Sequence, residues 1–146
     1  MQFIKWDDSL LIGVEEIDNQ HKRLFLLINR LQQKLTAGHG KDALEETLQA
    51  LIQYVYNHFS REDAFMASNN YPEIEEHRKE HAFFAKTVKG YQEKYRDDYP
   101  LLARDILIFL SSWYRNHIGK TDKKIGEYIR LRMIADNTHP EDKKTH

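Results

Sequence analysis

Four stretches of the chain repeat apolar residues every three or four positions, the spacing of a helix with one buried face. Ile17, Leu24, Ile28, Leu31 and Leu35 form the first, and it ends near "AGHG", where Gly38 and Gly40 suit a helix stop. Leu44, Leu48, Leu51 and Val55, continued by Phe65 or Met66, form the second, closed by the Asn and Pro of "SNNYP". Ile74, Phe84, Val88, Tyr91 and Tyr95 form the third, which stops near "RDDYP". Leu102, Ile106, Phe109 and Trp113 form the fourth, running on toward Gly119. Strand-like alternation is absent over any useful length, and Gly and Pro number only six and three. The pattern predicts an all-α fold: an antiparallel up-and-down four-helix bundle with an N-terminal arm and a short C-terminal helix. We place the domain at residues 1–132. Within it, 1–16 form the arm, whose Trp6 and Leu11 can pack on the bundle, and 133–146 form a frayed polar tail.

Each apolar stripe is interrupted by side chains that bind metals. His21 interrupts the first, His58 and Glu62 the second, His77 and His81 the third, and His117 lies at the end of the fourth. Such groups belong in an interior only when something satisfies them, because an unpaired buried carboxylate costs several kcal/mol or becomes protonated. A metal ion is such a partner. Residues four apart sit one turn apart on nearly the same helix face, so His58 with Glu62 and His77 with His81 can converge on one small volume. The turn at Tyr71-Pro72 lets two antiparallel helices present these pairs at one level.

A single inward histidine is more often an ordinary hydrogen-bonded core residue. Ligand types on all four stripes favour a shared metal site. Asp122 lies five residues after His117, about 140° out of phase on a regular α-helix. Either the helix widens or breaks there, near Gly119, and Asp122 joins the site, or Asp122 caps a new short helix. Asp18 suits a helix cap, and Gln20 can orient a ligand from behind. Glu73, Glu75, Glu76 and Glu80 suit a solvated face, and His39, His139 and His146 fall in a loop and the tail.

Composition narrows the chemistry. The chain has 146 residues, a formal charge of -1 and no cysteine. The balanced charge argues against a nucleic-acid partner, and the missing thiols exclude disulfides, iron–sulfur clusters and thiolate zinc sites. No apolar run is long enough to span a bilayer and the start lacks a secretory pattern, so a cytoplasmic location is the expectation.

The pieces "IDNQHKRLFLLIN", "HFSRED", "HRKEH" and "HIGKTD" together resemble the hemerythrin family, especially its single-domain bacterial members. The resemblance covers roughly residues 6–130 and includes the five-residue gap from His117 to Asp122. It implies a non-heme centre of two iron ions, bridged by an oxo or hydroxo group. His77, His81 and His117 would hold one iron, His21 and His58 the other, with Glu62 and Asp122 bridging both. It implies reversible dioxygen binding for storage, transport or delivery rather than an enzyme, with an oxygen-consuming enzyme as a recipient and a monomer as the expected state. The alternatives are an oxygen or redox sensor, or a diiron enzyme acting on peroxide or nitric oxide. The carboxylate-rich Glu-x-x-His pairs of ferritin-like oxidases have no counterpart on the core stripes. Leu24, Phe59, Trp113, Tyr114 and Ile118, beside the ligands, are the expected oxygen-pocket lining; ordinary core packing explains them equally well.

Overall fold

The computed structural model describes residues 6–138 of the chain. Helical segments account for four antiparallel rods. The first is α1 (Glu15–Thr36). The second joins α2 (Leu44–Gln53), a wide π-helical turn (Tyr54–Phe59) and α3 (Ser60–Ser68) without a break. The third is α4 (Ile74–Arg96). The fourth joins α5 (Leu102–Trp113), a second π-helical stretch (Tyr114–Asp122) and α6 (Lys123–Thr138). Rods one and three each pack along rods two and four, which leaves two and four at opposite corners.

The first three rods end by one device. Gly38, Asn70 and Asp98 adopt left-handed φ values of 79°, 53° and 55°. The next amide then turns back on the helix: His39 N donates to Lys34 O, Tyr71 N to Met66 O and Tyr99 N to Lys94 O. These bonds occupy carbonyls that the helix end leaves without a partner.

Two apolar clusters fill the interior. The larger gathers Ile28, Leu31, Leu51, Phe84, Leu102, Ile106 and Leu110, all essentially inaccessible. Each such side chain contributes about 1.5–3 kcal/mol through burial. A smaller cluster of Ile12, Ile17, Met66, Tyr71 and Ile125 closes the opposite end. The polar ligand types lie along the rods between these two clusters.

Three expectations need correcting. The C-terminal helix is present as α6, but it follows the π-helical stretch without a break, so it extends the fourth rod, and it runs to Thr138, past residue 132. The rest of the expected tail, 139–146, lies outside the described residues. In the arm, Trp6 packs on the core and meets Phe25 edge-on at 6.1 Å, but Leu11 is 39% exposed. Its neighbours Leu10 and Ile12 turn inward instead. Ile12 lies so close to Gly126 that a Cβ added there would stand 2.8 Å from its carbonyl oxygen. Third, the inward stripe of rod two passes through Tyr54, which is buried, rather than Val55, which is only partly so. The wide turn begins at Tyr54, so the regular spacing used to place Val55 inward does not hold there.

Candidate metal centre

At mid-depth the four rods bring His21, His58, Glu62, His77, His81, His117 and Asp122 together, every one buried. Their donor atoms form two overlapping groups, each within 4.8 Å: Glu62, His77, His81, His117 and Asp122 in one, and His21, His58, Glu62 and Asp122 in the other. The π-helical stretch explains how Asp122 arrives. A turn closed by i→i+5 bonds brings residues five apart close to one face, so His117 and Asp122 both point inward with no break in the rod.

Each carboxylate divides its two oxygens between the histidine groups. Asp122 Oδ1 lies 2.8 Å from His77 Nε2 and 3.0 Å from His117 Nε2, while Oδ2 lies 3.0 Å from His21 Nε2. Glu62 Oε1 lies 2.5 Å from His77 Nε2 and 2.9 Å from His81 Nε2, while Oε2 lies 3.1 Å from His58 Nε2.

The outer ring nitrogens set the tautomers. His58 Nδ1 donates to Gln20 Oε1, and His117 Nδ1 donates to Glu80 Oε1 across 2.9 Å. Thr121 Oγ1 also donates to Glu80 Oε1, at 3.1 Å. Asp63 Oδ1 lies 3.2 Å from His81 Nδ1. With Nδ1 carrying the proton, a neutral ring turns its Nε2 lone pair inward. Flat aromatic faces fix the ring planes: Trp113 on His117 at 3.8 Å, Phe59 on His81 at 3.8 Å, and Tyr54 on His58 at 4.6 Å.

The residues fit a cation site. Nε2 of His21 and of His58 lie only 3.2 Å apart. Glu62 Oε2, both oxygens of Asp122 and His117 Nε2 find no hydrogen-bond partner among the described residues. Buried acceptors facing one another without donors are costly, and a cation between them removes that cost. Five imidazoles and two carboxylates suit a borderline divalent metal.

Without a cation, protons serve in its place. Burial pulls the His21 and His77 imidazoles down, but bonds to Asp122 and Glu62 outweigh it and leave each raised to about 9. His117 is raised in the same way. Burial pushes Glu62 up, and its bonds to His117, His21, His58 and His77 hold it well below the usual carboxylate range. Burial and Glu62 push Asp122 up, and His117 and His21 outweigh them, so it too is lowered. His58 alone is pulled down, because burial wins there. Burial keeps the Tyr54 phenol far above its ordinary value and so protonated.

Together the fold and site define a class, the all-helical, histidine-rich cation-binding bundle. Residues 12–129 match the family model described as "Hemerythrin HHE cation binding domain", and the chain belongs to the hemerythrin family. It is similar to the bacteriohemerythrin of Pseudomonas aeruginosa, 31% identical over 135 residues that cover 91% of this chain and 86% of that protein. The bacteriohemerythrin of Clostridium acetobutylicum is 30% identical over 128 residues, covering 85% of this chain and 97% of its own. The myohemerythrin of Theromyzon tessulatum is 30% identical over 120 residues, covering 82% and 88%.

Several supporting residues stand where spacing did not place them. Glu80, expected on a solvated face, reaches His117. Asp18 does not cap its helix. Its carboxylate accepts from Ile12 N at 2.8 Å and Gly13 N at 3.2 Å, and so ties the arm down. Tyr54 was hidden by the regular stripe through Val55. Of the expected pocket lining, Leu24 and Ile118 are buried, and Phe59 and Trp113 lie on His81 and His117. Tyr114 is also buried and packs on Phe25, at 6.1 Å.

Proposed function

We propose that the centre holds two iron ions and that the domain binds dioxygen reversibly at that pair. His77, His81 and His117 would hold one ion, His21 and His58 the other, and Glu62 and Asp122 both. The observation that supports this is the division of each carboxylate: one oxygen faces the His77, His81 and His117 group, the other the His21 and His58 group. Dioxygen would bind on the side with fewer protein donors, that of His21 and His58. Membership of the hemerythrin family supports the same assignment.

When bound, two ferrous ions would supply the electrons that reversible dioxygen binding needs. The chain's own residues do the rest. Gln20 and Glu80 hold the His58 and His117 rings with their lone pairs inward. Leu24, Phe59, Trp113 and Ile118, all buried, exclude water and slow the access of protons and anions. Among the described residues no helix is long and apolar enough to cross a membrane. The domain then serves storage, transport or delivery, with an oxygen-consuming enzyme as recipient.

The test is direct. Reduce the iron-loaded protein without oxygen, admit air, record the visible spectrum and then apply vacuum. A charge-transfer band that appears with air and leaves under vacuum, at two irons per chain by metal analysis, is the expected result. Irreversible oxidation on first contact with air rejects the carrier assignment.

A further inference from the structure

Beside the ligand cluster, toward α2 and α5, every rod contributes one side chain to a single layer. Leu24 follows His21 by three residues and Phe84 follows His81 by three, while Tyr54 precedes His58 by four and Trp113 precedes His117 by four. Because the rods alternate in direction, these steps all lead the same way along the bundle, by about one turn. All four side chains are buried. The Phe84 ring lies 5.4 Å from Tyr54 and 4.6 Å from Trp113. Trp113 Nε1 donates to the Tyr54 hydroxyl across 3.4 Å. That bond joins rods two and four, at opposite corners of the bundle, so it crosses the interior. It places a phenol oxygen over the centre instead of in its outer wall.

That hydroxyl accepts from the indole, and its own hydrogen meets no acceptor among the described residues. A buried O–H with nothing to donate to is costly, and a residue retained for packing alone does the same work as phenylalanine. The Tyr54 ring is stacked on His58, a ligand on the side with fewer protein donors. It also walls a cleft of about 390 Å³, shared with Gln20, Leu24, Asn57 and His58.

We infer that the Tyr54 hydroxyl is the hydrogen-bond donor to a small anionic or electron-rich ligand held on the His21/His58 side, and so sets its affinity and lifetime. This inference rests on the cation-pair reading of the centre. Trp113 aims the donor by occupying its oxygen, and Phe84 and Leu24 keep water from competing for it. A ligand that gains negative charge on binding is held more tightly by such a donor than a neutral one, because charge-assisted hydrogen bonds are the stronger kind.

Azide, a small linear anion, is the probe, added to the oxidised, iron-loaded protein. Tyr54→Phe keeps the ring and its stack on His58 and removes only the donor. The variant is expected to retain two irons per chain and to bind azide about tenfold more weakly, the size of one charge-assisted hydrogen bond. In the wild type the stretching frequency of bound azide is expected to shift between H2O and D2O, and in Tyr54→Phe that shift disappears. Equal azide affinity in the two proteins overturns the inference, and so does a wild-type frequency indifferent to D2O. The isotope measurement needs only the wild type, so it decides the matter even if Tyr54→Phe fails to fold. Metal analysis before azide is added separates the other failure: a wild-type chain that takes up no pair of irons overturns the cation-pair reading itself.

Discussion

The two sides of the centre are built by different means. On the three-histidine side, His77 and His81 come from one uninterrupted helix, and acidic groups stand behind the rings. Glu80 holds His117, and Asp63 lies beside His81. On the other side, His21 and His58 come from separate rods, and the group behind His58 is the neutral amide of Gln20. A carboxylate behind an imidazole makes it a more basic ligand and favours a higher positive charge on the ion in front. A neutral amide orients the ring without that push. On the proposed cation pair, one side would be equipped to retain its cation and the other to exchange what binds there. Glu62 and Asp122 belong to both sides, so they couple the two.

The shared carboxylates should give the largest effect. Glu62→Ala removes a donor from both sides and leaves buried imidazoles facing one another, so it is expected to lose both cations. His21→Ala is expected to lose the cation of its own side and keep the other. His77→Ala is expected to lose the cation of the three-histidine side. Metal analysis of the purified variants reads all three, and Glu62→Ala retaining a full complement would break the idea of a shared pair.

The acidic backing comes next. Glu80→Gln keeps the hydrogen bond to His117 Nδ1 and removes the charge, and should weaken cation binding about tenfold, as losses of groups behind a ligand commonly do. The reverse change, Gln20→Glu, gives His58 the acidic backing it lacks and should strengthen binding on the two-histidine side. Competition with a chromophoric chelator measures both. Equal responses to the two changes would erase the contrast between the sides.

A third prediction concerns protons. His21 and His77 are raised to about 9 in the cation-free protein, from an ordinary value of 6.5. Such groups stabilise the fold fully below the ordinary value and lose that contribution as pH rises through about 9. Glu62 and Asp122 are lowered, so they contribute above their ordinary range and lose it as pH falls through their depressed values. The cation-free protein should therefore melt at its highest temperature between about pH 5 and pH 8, and lower on either side. Cation binding near neutral pH should release about three protons, one each from His21, His77 and His117. Calorimetry in buffers of different ionisation enthalpy counts them. Binding without proton release would show that the imidazoles are already neutral.

These contrasts separate what the sequence discloses from what it conceals. Stripe periodicity discloses the four rods, and ligand types at three- and four-residue steps disclose six of the seven clustered side chains. Asp122 sits off-phase on a regular helix, and the family resemblance identified it. The wide turn that carries it inward extends over nine residues, with only Gly119 as a hint of irregularity. The turn at Tyr54–Phe59 holds neither Gly nor Pro, so nothing local announces it, and Tyr54 is concealed with it. Glu80 is concealed for a different reason. It lies on the same helix as three other acidic residues, and only the tertiary position of His117 distinguishes it from them. Periodicity reports which face of a helix is buried, and is silent about which polar neighbour reaches across to another rod.

The smallest effect is expected at Tyr114, one residue from Trp113 and the second of two buried tyrosines on the wide turns. Tyr54 lies flat on a histidine of the centre, whereas Tyr114 meets Phe25, which in turn meets Trp6 of the arm. Burial, reinforced by Asp7 of the arm, pushes its phenol up to about 12. Tyr114→Phe keeps the ring against Phe25 and touches no ligand ring, so it should leave cation content, azide affinity and the air-dependent spectrum unchanged, within about twofold, the spread of a change that spares the site. Tyr54→Phe, chemically the same deletion, should move the azide affinity alone. If Tyr114→Phe weakened azide binding as much as Tyr54→Phe, the layer over the centre would extend to the arm. The distinction between a tyrosine that faces the ligand and one that fastens the N-terminus would then fall.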